Sequence, residues 1–275
     1  MTAEIQGKTN SLAELNRKFW DTNADSIFEQ DWLKIFAEQL TRFLRTQAPN
    51  LGFRSRDAEN PVRLLDYACA RGGASWSLAP FVDEILGIDI APAMADRFNS
   101  HASRLGYTAS QAHAVAGDLT TDDSLAAPAS FDVVIISLAL HHLDDPPAML
   151  GRLAERLKPG GVLVAVEGID TDEKPAGAVA ELAVTYAAHG DIHHRGHSHD
   201  HGHSHTHKNI EGEVLETTNQ HIYDEATFRK WFGDARCDDK FVYIVNDEVS
   251  HIPASASNVP GGLNRKMVIA AAMKR

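Results

Sequence analysis

Cysteines, cations and long apolar runs are all scarce in this sequence. Its 275 residues include only two cysteines, Cys69 and Cys237, which form one disulfide at most and cannot support a disulfide-stapled fold. We therefore expect a reducing environment and a cytoplasmic location. No stretch reaches the roughly 18 apolar residues of a membrane span, and the first residues lack the basic and apolar regions of a signal peptide. We expect no membrane partner.

Positive charge is also in deficit, since 26 Lys and Arg residues face 38 Asp and Glu residues and the formal net charge is −12. A protein that binds duplex nucleic acid releases counterions through clustered cations, which this composition does not favour. We therefore expect no nucleic-acid partner. Hydrophobic residues make up 43% of the chain, a share that excludes disorder throughout and allows a sizeable core.

The first 50 residues are predicted to be helical. Ser11 and Glu14 match the S-x-x-E capping box that begins many helices, and Ser26 and Glu29 repeat this spacing. The apolar residues that follow recur at helical spacing: Phe28, Trp32, Ile35, Phe36, Leu40, Phe43 and Leu44. We interpret residues 1–50 as a helical lid, joined by a polar linker to a domain at residues 61–275. Plain core packing is the alternative interpretation of the aromatic stripe.

Short apolar runs alternate with amphipathic helices from residue 61 onward. The runs predict strands at residues 62–67, 85–90, 113–116, 131–137, 161–167, 241–245 and 266–272. Alternation of strands and helices is typical of a parallel sheet with helices on both faces. The predicted fold is therefore α/β, a Rossmann-like doubly wound sheet of seven strands, in which ligands bind at the carboxyl ends of the strands.

Histidine is concentrated in one place, with nine of the fifteen histidines between His189 and His207. Neutral imidazoles bind zinc, nickel or copper, but this run lacks the defined Cys/His spacing of a structural zinc site and lies among Gly, Ser and Asp. We interpret about residues 170–222 as an insertion whose His-rich part is solvated, and we assign no metal ligands.

Three acidic residues, Asp66, Asp89 and Asp118, close successive strands. The small residues after Asp66 let a ligand approach the backbone, but they lack the G-x-G-x-x-G spacing that holds a pyrophosphate. A carboxylate after the second strand accepts hydrogen bonds from both hydroxyls of a ribose. Three acids repel phosphates and suit a ligand with a ribose, a base and a cationic group, as in an adenosyl sulfonium. Ordinary acids at helix N-termini are the alternative.

Five segments in order carry a family resemblance. They are residues 65–72 (LDYACARG), 87–90 (GIDI), 117–119 (GDL), 131–145 (FDVVIISLALHHLDD) and 157–163 (LKPGGVL). Together they resemble the motifs of class I S-adenosyl-L-methionine-dependent methyltransferases, over about residues 60–170. The resemblance implies that fold, that activity, and S-adenosyl-L-methionine as the cofactor.

The resemblance also implies the residues of the site. The implied cofactor-binding residues are Asp66, Ala68, Ala70, Gly72, Asp89, Ile90, Asp118, Leu119, Ser137 and Leu138. The first four would hold the methionine end, Asp89 the ribose, and Asp118 with the Leu119 amide the adenine. The implied substrate pocket comprises Phe19, Trp20, Phe28 and His141, with His141 near the transferring methyl group as the catalytic candidate. A satisfied pair of loop histidines, His141 and His142, is the alternative.

One position departs from the family pattern, because Ala70 stands where the family usually has glycine. If Ala70 adopts a positive φ, it is destabilised by about 1 kcal/mol or more relative to glycine. The next residue, Arg71, either pairs with the carboxylate of the methionine moiety or points to solvent.

Within the family, the sequence most resembles fungal small-molecule methyltransferases, some of which act on thiols of secondary metabolites such as the dithiol of gliotoxin. The expected function is methyl transfer to a small, fairly apolar acceptor, with a thiol as one candidate. Two alternatives remain: a regulatory protein that binds S-adenosyl-L-methionine without turnover, for which Ala70 is the best argument, and a metal-buffering protein built around the histidine run. The sequence leaves the oligomeric state open.

Overall fold

The computed structural model describes residues 11–56, 59–190, 218–257 and 259–275. Seven strands in these residues form one sheet in the order β3-β2-β1-β4-β5-β7-β6. The strands are β1 (Arg63–Tyr67), β2 (Glu84–Asp89), β3 (Ala112–Ala116), β4 (Phe131–Ser137), β5 (Leu157–Asp170), β6 (Cys237–Ile252) and β7 (Leu263–Lys274).

The first five strands run parallel, and β7 pairs antiparallel with both β5 and β6. Six of the seven residues of β4 are buried, as expected for a central strand covered by helices on both faces. The predicted fold class is confirmed: the sheet is Rossmann-like and doubly wound, with seven strands. The predicted strand positions are also confirmed, although β5, β6 and β7 extend several residues beyond the predicted ends.

Helices cover both faces of the sheet. They are α1 (Leu12–Asn23), α2 (Asp31–Gln47), α3 (Gly73–Leu78), α4 (Pro92–Arg104), α5 (Pro146–Arg156), α6 (Ala178–Gly190), α7 (Glu225–Asp234) and α8 (Ala254–Ser257). One apolar core lies between the sheet and α2, α3 and α4, and a second lies between the sheet and α5 and α7. Among the described helices, none combines the length and apolar character needed to span a bilayer.

The N-terminal helices begin partly as the sequence predicts. The Ser11 hydroxyl accepts a hydrogen bond from the Glu14 amide at 3.3 Å and caps α1. The second predicted cap is wrong: Ser26 has helical backbone angles (φ −102°, ψ −32°) and begins a short 3-10 helix, Ile27–Glu29, without a side-chain cap. A residue at the N-cap of a helix normally has an extended backbone, which Ser26 lacks. Helix α2 begins after Gln30, whose backbone is extended (φ −70°, ψ 133°).

The N-terminal segment is tied to the rest of the fold by polar contacts at both ends of α1. At the start of α1, the Asp144 carboxylate accepts hydrogen bonds from the amides of Leu12 and Ala13, at 3.0 and 3.3 Å. Near its end, Asp21 Oδ1 accepts from the Ala93 amide at 2.9 Å, in the first turn of α4. These contacts hold α1 across the carboxyl edge of the sheet.

The domain boundaries at 1–50 and 61–275 stay a prediction. Helix α2 shares the core of the sheet, since Leu40, Phe43 and Leu44 are buried against strand residues. Within the predicted insertion, the structure describes α6, whereas the histidines from His193 to His207 lie outside the described residues. Among the residues that are described, no group of three or more His, Cys, Asp or Glu side chains forms a metal site.

The contact between Asp21 and α4 is testable by stability. Because α4 has Ala91 at its N-cap, with no side-chain acceptor, the Asp21 carboxylate takes over the capping role. We expect Asp21→Ala to lower the free energy of unfolding by about 0.5–2 kcal/mol, measured by urea denaturation. Asp21→Asn keeps an acceptor oxygen and should lose less. Thr22→Ala is the control, because that hydroxyl bonds only within α1; equal stability of the Asp21→Ala and Thr22→Ala variants would contradict the capping role.

Candidate active site

A cavity of about 1140 Å³ opens at the carboxyl edge of the parallel strands. It lies where the strand order reverses, between β1 and β4, which is the expected ligand position in a doubly wound sheet. Its walls come from the ends of β1, β2, β4 and β5, from α1 and α2, and from residues 218–224. The cavity therefore collects residues from most of the chain.

The turn after β1 has a left-handed backbone at three positions: Ala68 (φ 58°), Ala70 (φ 45°) and Gly72 (φ 88°). At Gly72 a side chain is excluded for a second reason, because a Cβ would collide with the indole of Trp76. Ala70 has the positive φ that makes alanine unfavourable, and Ala68 shares this strain. Opposite the turn, Leu138 at the end of β4 also has a positive φ of 55°. Backbone strain therefore gathers on two sides of the cavity.

Asp89 holds this turn in place. Its Oδ2 accepts a hydrogen bond from the Ala70 amide at 2.8 Å, and its Oδ1 accepts from the Ala91 amide at 2.9 Å. Burial raises the pKa of Asp89 to about 6, although the hydrogen bonds from Ala91 and Ala70 act in the opposite direction. Each carboxylate oxygen can accept more than one hydrogen bond, so Asp89 retains capacity for the two hydroxyls of a ribose in the cavity.

Asp66 makes a different use of its carboxylate. Its Oδ2 accepts from both the hydroxyl and the amide of Ser75, at 2.6 and 3.2 Å, which anchors the start of α3. Burial raises the pKa of Asp66 to about 7, and the negative charge of Asp89 adds to the effect of burial. Asp66 lines the cavity but is 1% exposed, so its main visible role is to hold the turn.

Asp118 organises the end of β3. Its Oδ1 accepts from the Tyr67 hydroxyl at 2.9 Å and from the Thr120 amide at 2.8 Å, while its Oδ2 accepts from the Thr120 hydroxyl at 2.7 Å. Both Asp118 and Thr120 line the cavity. Leu119 does not: its side chain is fully buried in the core between the sheet and α5. Thr120 therefore contributes a side chain to the cavity wall, and the expected role of the Leu119 backbone amide stays a prediction.

Other predicted cofactor residues divide in the same way. Ala68, Ala70, Ile90, Ser137 and Leu138 line the cavity, whereas Gly72 belongs to the turn without lining the cavity. The Ser137 hydroxyl is buried and has no hydrogen-bond partner among the described residues. A buried hydroxyl without a partner is unfavourable unless a ligand supplies one.

His141 lines the cavity and is paired with an acid. Its Nδ1 is 2.8 Å from Oε2 of Glu167, and its backbone amide donates to Glu167 Oε1 at 3.3 Å. The Glu167 side chain is 2% exposed and that of His141 is 24% exposed, so the acid is enclosed while the imidazole is open to the cavity. His142 is buried beneath Trp20, with ring centroids 5.6 Å apart.

The guanidinium of Arg71 lies over the ring of Phe28, 4.6 Å from its centroid, and both residues line the cavity. The side chain is thus directed to the cavity and not to bulk solvent. Burial lowers the pKa of Arg71, with the charge of Glu29 acting in the opposite direction. A half-buried cation of this kind is suited to bind a carboxylate.

The predicted aromatic residues are not equivalent. Trp20 and Phe28 line the cavity, but Phe19 is buried behind Trp20, with ring centroids 5.0 Å apart in an edge-to-face arrangement. Phe19 is therefore corrected from a pocket residue to a supporting one, because adjacent helical residues face different directions. Sequence reasoning also missed Glu167 and Asn219. Glu167 follows the strand-end rule that identified the three aspartates, whereas no local signal marks Asn219.

Comparison with known proteins agrees with this geometry. Residues 65–163 match a family described as a methyltransferase domain. An uncharacterised methyltransferase of Schizosaccharomyces pombe is 32% identical over 116 residues, covering 40% of this chain and 41% of that protein. A ubiquinone biosynthesis O-methyltransferase of Cereibacter sphaeroides is 36% identical over 103 residues, covering 38% and 40%. The chain thus spans about two fifths of the length of these relatives.

Solved structures share the fold across most of the chain. The YcgJ protein of Bacillus subtilis aligns with a TM-score of 0.52 at 15% identity, covering 86% of this chain and 98% of that one. The phosphoethanolamine N-methyltransferase 2 of Haemonchus contortus, solved with S-adenosylhomocysteine, aligns at 0.54 with 14% identity, covering 94% and 59%. At identities of 15% and 14% these structures show the fold alone, which together with the sheet order is the Rossmann-like fold of class I methyltransferases. The match to a methyltransferase domain is confined to residues 65–163.

The strained turn yields a stability prediction. We expect Ala70→Gly to raise the free energy of unfolding by up to about 1 kcal/mol, because glycine accepts a positive φ without a Cβ clash. The gain is reduced by the loss of a methyl group that packs near Met94 and Ala91. Urea denaturation of the ligand-free protein measures it.

Two matched variants frame this result. Ala129→Gly makes the same change at an exposed position with φ 51°, where no packing is lost, so its gain should be at least as large. Ala74→Gly makes the change inside α3 and should lower stability by about 0.5–1 kcal/mol or more. A loss of stability in both Ala70→Gly and Ala129→Gly would contradict the assignment of strain to these backbones.

Proposed function

We propose that this protein transfers a methyl group from S-adenosyl-L-methionine to an ionisable hydroxyl or thiol of a small, mostly apolar molecule. The observation that carries the proposal is the His141–Glu167 pair, which faces the same cavity as Asp89 and Arg71. Methyl transfer to an acidic acceptor needs a base for the acceptor and a group that binds the nucleoside of the cofactor. In this proposal His141 and Asp89 supply them within one cavity.

The residues of the cavity fit the cofactor. Asp89 has acceptor capacity for the ribose hydroxyls, and Arg71 offers a cation for the carboxylate of the methionine moiety. The hydroxyl of Ser137, which has no partner among the described residues, can form a hydrogen bond with a polar ligand. At the end of β3, Asp118 and Thr120 provide polar atoms for the adenine. When bound, S-adenosyl-L-methionine supplies an electrophilic methyl group on a sulfonium. The chain itself supplies orientation and, through His141, a base.

The remaining part of the cavity supports an apolar acceptor. Apolar and aromatic side chains from α2 and from the last strands line it: Trp32, Leu33, Phe36, Tyr243, Ile252 and Leu263. The cation there, Arg265, is already paired with Asp170 at 2.7 Å. A small molecule of low charge suits these walls better than an anionic polymer.

Glu167 determines which atom of His141 acts as the base. Because the carboxylate accepts the proton on Nδ1, the lone pair of Nε2 is left for the acceptor. The enclosed acid also stabilises the imidazolium that forms when His141 takes a proton. His141 Nε2 would thereby take the proton that the hydroxyl or thiol of the acceptor gives up.

The first test is an acceptor screen with the purified protein. Methyl transfer from isotopically labelled S-adenosyl-L-methionine to a panel of phenols and small thiols would be followed by mass spectrometry. We expect product with apolar members of the panel. S-Adenosylhomocysteine binding by calorimetry is the parallel measurement; failure to bind would overturn the cofactor assignment, whereas binding without any product would overturn the acceptor class.

The base makes a second prediction. We expect His141→Ala to lower kcat by roughly 10²–10⁴-fold with a phenol, which has a pKa of about 10, and by less with a thiol of pKa about 8.5, since the thiol ionises more readily. Glu167→Gln should also lower kcat more with the phenol than with the thiol. His113→Gln, at an exposed position on β3, is the control histidine variant. Unchanged kcat in His141→Ala with every acceptor would exclude His141 as the base.

Cofactor affinity should depend on pH through Asp89. Binding to the ribose favours the ionised carboxylate, and in the protein without ligand, burial raises the pKa of Asp89 to about 6. The dissociation constant of S-adenosylhomocysteine should therefore rise as the pH falls below about 6, by up to about tenfold per unit. Asp89→Asn should bind more weakly at neutral pH and lose this dependence.

A matched variant distinguishes the titration of Asp66 from that of Asp89. Asp66→Asn removes a carboxyl group with a pKa of about 7 and keeps an acceptor for Ser75. Any step near pH 7 should vanish in Asp66→Asn, while the step near pH 6 stays. Persistence of the step near pH 6 in Asp89→Asn would contradict the assignment of the ribose to Asp89.

A further inference from the structure

The loop that bears His141 is held from outside by two asparagines. It forms a short 3-10 helix, Leu140–His142, between β4 and α5. Asn219 donates from Nδ2 to the carbonyls of Leu140 and Leu143, at 2.8 and 2.9 Å, and from its backbone amide to the carbonyl of His141 at 2.7 Å. On the other side, Asn16 Nδ2 in α1 donates to the carbonyl of His142 at 2.9 Å. Every carbonyl from residue 140 to residue 143 thus receives a hydrogen bond from one of these two residues.

Asn219 is itself fixed in orientation. Its Oδ1 accepts from the Tyr223 hydroxyl at 2.9 Å and from the His221 amide at 3.2 Å. Tyr223 is 6% exposed, and the burial that raises its pKa is reinforced by the charge of Glu167. Rotation of the Asn219 side-chain amide would therefore break hydrogen bonds at both Nδ2 and Oδ1. Tyr223, which binds Oδ1, is close enough to Glu167 for the charge of that acid to affect its pKa.

These contacts join distant parts of the chain. Asn219 lies 79 residues after Leu140, in the segment that leads into α7. Within the turn itself, the backbone amides of His142 and Leu143 donate to the carbonyls of Ala139 and Leu140, at 3.0 and 3.2 Å. The contacts from Asn219 add support from a distant part of the chain. The backbone around His141 is thus held by Asn219 from the segment before α7 and by Asn16 from α1, in addition to the direct contacts of His141 with Glu167.

We propose that Asn219 is the positioning residue that holds His141 in register with Glu167 for proton transfer. The proposal rests on the proposed function, because it gives Asn219 a role in the step that His141 performs. Asn219 does not touch the reacting atoms in this account; it acts through three carbonyls of the loop. Its loss should let the imidazole shift from Glu167 and from the acceptor, and misplacement by about 1 Å is enough to lower a rate by roughly 10²-fold.

The decisive experiment is a double-mutant cycle between positions 219 and 141. We expect Asn219→Ala to lower kcat by about 10- to 100-fold while the dissociation constant of S-adenosylhomocysteine changes by less than about twofold. In the His141→Ala background, the same substitution should lower kcat by less than about twofold, because the residue through which it acts is gone. Asn219→Asp, which keeps Oδ1 but loses the Nδ2 donor, should behave like Asn219→Ala. Asn50→Ala, which removes the same side chain at an exposed position outside the cavity, is the matched control and should retain full activity.

A merely structural role predicts different results. Partial unfolding would reduce the number of S-adenosylhomocysteine sites per chain in calorimetry, and the loss in kcat would persist in the His141→Ala background. Either result, or an Asn219→Ala variant as active as Asn50→Ala, would overturn the proposal.

A spectroscopic measurement tests the positioning separately from turnover. In a histidine-labelled protein, the Cε1–H resonance that disappears in His141→Ala identifies His141. We expect this resonance to move in Asn219→Ala and to stay in place in Asn50→Ala. If no acceptor is methylated but the resonance moves, the proposed function fails and the positioning by Asn219 stands; an unmoved resonance overturns the positioning itself.

Discussion

The carboxylate of Asp89 connects three elements that must meet for a cavity to exist. It ends β2, accepts the Ala70 amide from the turn after β1, and accepts the Ala91 amide at the start of α4. Parallel pairing of β1 with β2 makes this possible, because the register places Tyr67 beside Ile88 and so brings the two strand ends together. A buried carboxylate is unfavourable unless it is hydrogen-bonded, and the two amides offset that penalty. The same acid then retains lone pairs for a ligand, so one side chain shapes the site and faces it.

The candidate base depends on a different kind of support. His141 belongs to a short loop, and loops are positioned by what packs against them. Here Glu167 on β5 fixes the ring, while Asn16 and Asn219 fix the backbone. The cofactor half of the site is therefore set by strand register, and the base half is set by tertiary hydrogen bonds from α1 and from the segment before α7.

This difference explains what the sequence predicts and what it does not. The carboxyl ends of parallel strands share one edge, so Asp66, Asp89 and Asp118 could be placed in one site from strand positions alone. The same rule applied to β5 would have added Glu167. Asn219 carries no local signal, because its partners lie 76 to 79 residues away and are backbone carbonyls.

Local motifs are less dependable than strand ends for a related physical reason. Ser26 has the spacing of a capping residue, but the backbone angle that capping needs is decided by how the chain turns between α1 and α2. Likewise, Phe19 and Trp20 are neighbours of similar chemistry, and only the packing of α1 on the loop around His142 puts Trp20 at the cavity and Phe19 behind it.

The alanine at position 70 bears on whether the site is active or degenerate. A positive φ at alanine is unfavourable, yet the Ala70 amide is bound by Asp89 and its methyl group packs with the cluster of Ala24, Ala91 and Met94 that joins α1 to α4. The strain therefore comes with contacts that glycine could not make, and these contacts tie the N-terminal helix to the turn. The methyl group of Ala70 is thus part of the cavity wall, and strain at this position is no argument that the site is degenerate.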